Sequence, residues 1–125
     1  MFTKSDEGGF AEVLEGVRLK TLAHGGSTLL SMFRLSKGAA VPTHQHPHEQ
    51  TGYLVSGRLD FVIGDDRFDA GPGDSWNIAG DVPHSATALE DSIVIEVFSP
   101  VREDYLQYGP GQPRGRSRSL RLSKR

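Results

Sequence analysis

At 125 residues, with 36% hydrophobic and 24% charged residues, the chain has the length and composition of one ordinary globular domain. It contains no cysteine, which excludes disulfides, thiolate metal sites and a cysteine nucleophile, so any bound metal must take nitrogen and oxygen ligands. The net charge of −2 conceals an uneven distribution, because residues 109–125 carry basic side chains and no acidic one.

A glycine pair, Gly8-Gly9, and the uneven charge divide the chain into three parts. We predict a loose N-terminal arm over residues 1–9, one folded domain over residues 10–108, and a basic, flexible tail over residues 109–125. Arginine-rich tails can bind nucleic acid, but the rest of the chain is acidic and would repel a phosphate backbone, so we expect no nucleic-acid partner. The N-terminal residues hold no apolar signal segment, and no later run approaches a membrane span. We therefore expect a cytoplasmic protein with no membrane partner.

Short strands dominate the elements that the sequence predicts. Residues 13–22 alternate between polar and apolar side chains, and Gly16 disfavours a helix, so we predict one strand there. Residues 28–36 alternate in the same way after a glycine turn. Further strands are predicted over residues 40–46, 50–55, 58–63, 67–70, 75–78, 84–89 and 92–98, and one helix over residues 102–108. Short strands separated by glycine and proline turns are typical of an all-β sandwich or barrel.

Histidines are concentrated at the end of the predicted strand over residues 40–46. His44 and His46 are two residues apart, and such residues share one face of a strand, so their imidazoles would lie side by side. Imidazole nitrogen binds Zn, Ni, Cu, Fe and Mn. We interpret the pair as part of a metal site whose other ligands must come from nearby strands. His24, in a glycine turn, is interpreted as a solvated side chain.

The spacing around these histidines resembles the first motif of the cupin superfamily. The segment reads Gly38, five residues, His44-Gln45-His46, three residues, Gln50, six residues and Gly57. Every spacing fits the motif, and the departure is Gln50, where most cupins have Glu. A second motif is matched more loosely, mainly by Gly73 and His84. The resemblance implies an all-β fold, a small antiparallel jelly-roll β-barrel, and the family habit of forming homodimers.

The cupin resemblance also implies one divalent metal ion, Zn, Ni, Fe or Mn, in the mouth of the barrel. The ligands carried over from the motifs are His44, His46, Gln50 and His84. Glu49 competes as the fourth ligand, and Gln50 is preferred because its offset matches the motif. A site with only neutral ligands keeps its full positive charge, which favours Lewis-acid chemistry over redox chemistry.

A buried acid is predicted in the strand over residues 92–98. Both faces of this strand are largely apolar, so both should be covered. Glu96 is costly in such a strand unless it is paired or functional, and Arg102, just past Pro100, is its natural partner. On chemistry alone, a structural ion pair and a catalytic role remain equally open.

Three segments are similar to those of the uronate-linearising cupins of pectin and alginate breakdown: HPHEQ, VPHSA and Glu-x-Phe-Ser-Pro-x-Arg-Glu-Asp. This resemblance implies a small-molecule substrate, an unsaturated uronate that is opened and ketonised. It also implies that Glu96, Phe98 and Arg102 are catalytic. Arg102 would bind the substrate carboxylate bidentately, Glu96 would transfer protons, and Phe98 would pack against the sugar ring. The acid of that family is commonly Asp, and Glu96 is one methylene longer.

Two other functions remain open, because the same fold hosts unrelated activities. One is an Fe(II), Ni or Cu dioxygenase acting on a small aromatic or dicarbonyl substrate, which oxygen consumption would reveal. The other is a metal-dependent ligand-binding cupin without turnover, which tight binding without product would reveal. Tyr53, His48 and Trp76 are further possible lining residues, but Tyr53 and Trp76 are interpreted as core residues and are left out of the catalytic set.

Overall fold

The computed structural model describes residues 1–111 and is built almost entirely of short strands. Residues 112–125, and with them most of the predicted basic tail, lie outside the described residues. The elements are β1 (Ala11–Leu14), β2 (Val17–His24), β3 (Leu29–Leu35), β4 (Ala40–His44), β5 (Glu49–Ser56), β6 (Leu59–Ile63), β7 (Asp66–Ala70), β8 (Ser75–Ile78), β9 (His84–Ala88), β10 (Ser92–Ser99) and a 3-10 helix (Glu103–Tyr108).

The strands form two antiparallel sheets that enclose one core. Six strands pair in the order β1-β2-β3-β10-β5-β8, and four pair in the order β4-β9-β6-β7. Side chains of β5 and β10 are buried alternately; in β10, Val94 and Phe98 face inward and Ile95 faces outward. The predicted all-β antiparallel jelly roll is confirmed. Within residues 1–111 it consists of two facing sheets that no strand pairing joins.

The predicted strand over residues 13–22 is wrong, because the structure has a hairpin there. β1 and β2 pair antiparallel across a tight turn at Glu15 and Gly16, where Gly16 has a φ of +75°. A Cβ on Gly16 would lie 2.9 Å from the side chain of Ala39. Val13 and Val17 flank the turn and are both buried, so buried and exposed residues keep alternating through the turn. The turn therefore cannot be detected from the periodicity of the sequence.

The 3-10 helix closes one end of the space between the sheets. It follows Arg102, as the predicted helix over residues 102–108 suggested, and it packs against β2. Thr21 donates a hydrogen bond from its Oγ1 to the carbonyl oxygen of Tyr105 at 2.7 Å, and both residues are buried. This docking places Arg102 beside the ends of β4 and β9. Between residues 1 and 111, no helix is long and apolar enough to cross a membrane.

Candidate functional site

Three histidines meet at the mouth of the space between the sheets. His44 is the last residue of β4 and lies opposite His84, the first residue of β9, with ring centroids 4.2 Å apart. His46 follows two residues after β4, and its ring centroid lies 5.6 Å from that of His44 and 5.0 Å from that of His84. The predicted strand over residues 40–46 is therefore too long, since β4 stops at His44. One nitrogen from each of the three rings falls within a span of 4.8 Å.

The protein backbone fixes the tautomer of all three rings. A carbonyl oxygen can only accept a hydrogen bond, so a ring nitrogen that contacts one must carry the hydrogen. In each ring that nitrogen is Nδ1, which leaves the lone pair on Nε2 when the ring is neutral. The contacts are His44 Nδ1 to Pro42 O at 2.9 Å, His46 Nδ1 to His48 O at 3.0 Å, and His84 Nδ1 to Val82 O at 2.8 Å.

Burial keeps the three rings neutral at physiological pH. It lowers the pKa of His44 to about 4, with a further contribution from His84. It also lowers the pKa of His46 to about 4, and there the charge of Arg102 and the two neighbouring histidines act in the same direction. The pKa of His84 is lowered chiefly by burial as well. Neutral imidazole is the form that binds a metal ion.

Gln50 presents its amide oxygen to this cluster. Its side chain points inward from β5, and Oε1 lies 2.8 Å from Nε2 of His46. Because His46 uses its hydrogen on Nδ1, two lone-pair atoms face each other at this contact, an arrangement that a shared cation would stabilise. Glu49, the competing ligand, points outward from β5 and accepts a hydrogen bond from Asn77 at 3.0 Å. The geometry therefore places Gln50, and not Glu49, beside the histidines.

The donor set fits a divalent metal ion. Nε2 of His84 is buried and has no hydrogen-bond partner, although buried polar atoms are normally satisfied. Three imidazole nitrogens with an adjacent amide oxygen are ligands that Zn, Ni, Fe and Mn all accept, so the donors alone do not select one metal. The group formed by His44, His46 and His84 is positioned to hold a metal ion.

Glu96 lies directly behind Gln50. Its carboxylate oxygen Oε2 accepts a hydrogen bond from Nε2 of Gln50 at 2.5 Å and another from Nε1 of Trp76 at 3.0 Å. Burial raises the pKa of Glu96, whereas these two hydrogen bonds and the nearby charge of Arg102 lower it. Because Oε2 receives both donors, Oε1 is the oxygen left to exchange a proton.

The expected ion pair between Glu96 and Arg102 is not formed. Arg102 instead donates from Nε and Nη2 to the two carboxylate oxygens of Asp104, at 3.0 and 2.7 Å. Its guanidinium carbon lies 5.1 Å from the ring centre of Phe98 and 4.0 Å from that of Tyr105. The remaining nitrogen, Nη1, is buried without a hydrogen-bond partner. The charge of Arg102 is thus compensated by Asp104, and its Nη1 remains available as a hydrogen-bond donor.

All seven predicted site residues line one cavity of about 60 Å³: His44, His46, Gln50, His84, Glu96, Phe98 and Arg102. Trp76, named from the sequence as a possible lining residue, lines it too and also packs against the core. A glycine in a strand marks a close approach of another group, so Gly52, which pairs with Trp76, was the available signal. The interpretation of Tyr53 as a core residue is wrong, because Tyr53 points outward and is 48% exposed.

A family model, a sequence comparison and a structure comparison each find proteins that are similar to this chain. A family model described as the cupin domain matches residues 31–99. The pectin degradation protein KdgF of Dickeya dadantii is 28% identical over 103 residues, which cover 81% of this chain and 94% of that protein. The solved structure of KdgF from Halomonas sp. is 33% identical with a TM-score of 0.79, over 83% of this chain and 96% of that one. An RmlC-like cupin from Shewanella frigidimarina is 26% identical with a TM-score of 0.80, over 83% and 94%.

Proposed function

This chain belongs to the cupin domain family, and from that membership we propose that it is a metal-dependent enzyme that opens and ketonises an unsaturated uronate. One observation carries the proposal: a histidine triad suited to a metal, an acid whose two described hydrogen bonds both go to Oε2, and an arginine with a free donor line a single cavity. The similarity to two KdgF proteins, one named for pectin degradation, supports the choice of substrate class.

The proposed reaction is an isomerisation that needs neither oxidant nor water. The anomeric hydroxyl gives up its proton, the bond between C1 and the ring oxygen breaks, and C1 becomes an aldehyde. The ring oxygen leaves as an enolate on C5, which takes up a proton at C4 and becomes a ketone. The site must therefore accept one proton, deliver one proton, and stabilise negative charge on the former ring oxygen.

Arg102 provides the contact for the substrate carboxylate. A guanidinium has five N–H groups, and Asp104 accepts two of them, which leaves both hydrogens of Nη1 and one of Nη2. These form an edge that can bind a carboxylate bidentately. The pair with Asp104 holds the guanidinium in place before substrate arrives. Phe98, 1% exposed, supports it from one side and supplies an apolar wall for the sugar ring.

Glu96 provides the proton transfer. Its Oε2 is anchored by Gln50 and Trp76, so Oε1 accepts the proton of the anomeric hydroxyl and returns a proton to C4. A buried carboxyl with a raised pKa holds a proton more readily than a solvated one, which suits a group that must both take and give one near neutral pH.

His44, His46, His84 and Gln50 would hold the metal ion. When bound, the ion supplies a Lewis acid that lowers the cost of negative charge on the substrate oxygens. Four neutral ligands leave its charge undiminished, which suits this role better than it suits redox cycling.

The decisive experiment uses metal-loaded protein and an unsaturated monouronate under anaerobic conditions in D₂O. We expect loss of the ultraviolet absorbance of the C4=C5 bond, and a linear keto product that carries deuterium at C4. An unchanged substrate in every metal-loaded form would overturn the proposal, and tight binding without product would identify a binding protein instead. Turnover that requires oxygen would point to the dioxygenase alternative.

A further inference from the structure

We propose that Trp76 is a positioning residue of the metal site, which sets the end of the Gln50 amide that faces the histidines. It would act through Glu96: the indole N–H fixes the carboxylate oxygen, and that oxygen holds the amide nitrogen. The inference rests on the proposed metal-dependent function and deepens it, because it assigns a residue outside the expected ligand and catalytic sets.

The Gln50 amide has two possible orientations, and each satisfies a different neighbour. As found, its nitrogen donates to Oε2 of Glu96 and its oxygen faces Nε2 of His46. If the amide rotated by half a turn, the nitrogen would donate to the lone pair of His46 and the oxygen would face Glu96. The rotated form would present N–H groups to a metal position, where they cannot bind a cation.

Glu96 decides between the two orientations only if its own position is fixed. Oε2 accepts both hydrogen bonds whether or not Oε1 carries a proton, so the preference does not depend on the ionisation of Glu96. The second bond, from Nε1 of Trp76 at 3.0 Å, keeps Oε2 pointed between the indole and the amide. Without it, the carboxyl group could turn away, and His46 would become the better acceptor for the amide.

The indole reaches Glu96 because β5 carries a glycine beneath it. Trp76 pairs with Gly52, and a Cβ on Gly52 would lie 2.2 Å from Nε1 of Trp76. Any side chain at residue 52 would therefore push the N–H away from Oε2. On β6, Phe61 packs against the indole, with ring centroids 4.7 Å apart. The indole is thus held between a bare stretch of backbone and an aromatic ring.

Two substitutions remove the hydrogen bond in different ways. Trp76→Phe deletes the donor and keeps an aromatic ring, whereas Gly52→Ala keeps the tryptophan and displaces it. Phe61→Leu is the matched control, because it disturbs the packing of the indole and leaves its N–H in place. If Trp76→Phe fails to fold, Gly52→Ala still tests the inference, and melting temperatures identify any variant that is merely destabilised.

The readouts are Co²⁺ affinity by chelator competition, the visible spectrum of the Co²⁺ form, and the Gln50 side-chain amide resonance of the Zn²⁺ form. Loss of a group that orients a ligand costs roughly 10–100-fold in metal affinity. We expect a loss of this size, an altered Co²⁺ spectrum and a shifted amide resonance in Trp76→Phe and Gly52→Ala, and a smaller loss of affinity in Phe61→Leu, which loosens the indole but keeps its N–H. Wild-type affinity and spectrum in folded Trp76→Phe would overturn the inference.

The same measurements separate this inference from the proposed function. A wild-type protein that binds Co²⁺ but leaves unsaturated uronates unchanged would refute the proposed reaction and leave the role of Trp76 to be decided by the metal titrations. A wild-type protein that binds no divalent metal would refute both.

Discussion

Arg102 and Asp104, two residues apart in the chain, are joined by two parallel hydrogen bonds of 3.0 and 2.7 Å. Asp104, and not Glu96, therefore compensates the arginine. Glu96 in turn is held by two neutral donors, Gln50 and Trp76. Since neither charged group is the hydrogen-bond partner of the other, each can be altered without leaving its supposed partner unpaired. Catalytic and structural effects can then be measured separately.

Glu96→Gln should lower turnover of an unsaturated uronate by about 10²–10⁴-fold, the usual range for the loss of a general acid or base. The amide keeps the shape of the side chain and can still accept from Trp76, but it cannot carry a proton between substrate atoms. Steady-state kinetics measures the effect, with melting temperature and metal content as controls. Turnover equal to that of the wild type would leave Glu96 as a structural residue.

Arg102→Lys should raise KM more than it lowers kcat. Lysine keeps the positive charge and can still meet Asp104, but it lacks the planar edge offered by Nη1 and Nη2 for a carboxylate. Asp104→Asn is the companion variant, because it leaves the guanidinium intact while weakening the contact that orients it. We expect a smaller rise in KM there. An unchanged KM in Arg102→Lys would exclude a carboxylate contact.

Substitution of the histidine cluster should remove the metal. His44→Ala, His46→Ala and His84→Ala should each strip or greatly weaken bound metal in elemental analysis, because each supplies one of the converging nitrogens. His24→Ala, at the exposed end of β2, is the control and should keep full occupancy. Stoichiometric metal in all three cluster variants would place the site elsewhere.

Gln50→Ala should weaken metal binding more than Glu49→Ala. The two residues are adjacent in β5 but point to opposite sides of the sheet, so the pair is its own control. Gln50 contacts His46, whereas Glu49 is exposed and contacts Asn77. Metal titration of both variants measures the difference. The reverse order would mean a carboxylate ligand and would favour oxygenase chemistry.

The metal-free protein should lose stability as the pH falls from about 6.5 towards 4. Burial holds the pKa of His44 and His46 near 4, below the 6.5 of a free imidazole, so the unfolded chain binds protons that the fold excludes. Melting temperature should therefore be highest above pH 6.5 and decline through this window. The raised pKa of Glu96 acts in the opposite direction.

A double variant tests the assignment of this pH dependence. His44→Ala with His46→Ala should flatten the decline, because the two excluded protonation sites are gone. Saturating Zn²⁺ should move the decline of the wild-type protein to lower pH, since the metal competes with protons for the same nitrogens. A melting temperature that is constant between pH 8 and pH 5 would contradict the expectation.

A second copy of the chain should cover the outer face of the six-stranded sheet. This face carries contiguous, partly exposed apolar side chains of β3, β10 and β5: Leu30, Met32, Ile93, Ile95, Val97, Tyr53 and Val55. Arg34 and Glu49 lie at diagonally opposite corners of this face. In a symmetric dimer, a two-fold axis that lies in the face and runs between its other two corners would place Arg34 of one protomer opposite Glu49 of its partner.

Light scattering should therefore give the mass of a dimer. Ile95→Lys, at the centre of the face, should yield a monomer with unchanged metal content. Phe68→Lys is the control, because Phe68 is 49% exposed on the other sheet and should leave the dimer intact. A monomeric wild-type protein at tens of micromolar would show that this face has another function.

Local spacing made the fold and the clustering of the histidines predictable. The motif around His44, His46 and Gln50 lies in one short stretch, and a fourth residue, His84, followed from the second motif. Alternation also located most strands, as in β10, where every second residue is buried. It failed at Gly16, where a tight turn between two strands preserves the alternation.

The polar contacts behind the histidines and Gln50 could not be predicted in the same way. Arg102 was expected to reach Glu96, but the chain beyond Pro100 brings Asp104 close enough to accept both hydrogen bonds first. The hydrogen bond from Trp76 to Glu96 was not predicted, because an aromatic residue in a strand packs in a core far more often than it donates to a buried acid. Such choices depend on which side chains meet across the cavity, and spacing along the chain does not contain that information.

Trp76 is the single tryptophan of the sequence, and its indole lies within hydrogen-bonding distance of Glu96. Nearly all of the long-wavelength ultraviolet emission of the protein must therefore arise from one ring in the wall of the cavity. The chain carries its own optical probe: paramagnetic ions entering the site should quench that emission, and ligands that replace water around the ring should change its wavelength. Occupancy of the site can thus be followed in the unmodified protein, without a label.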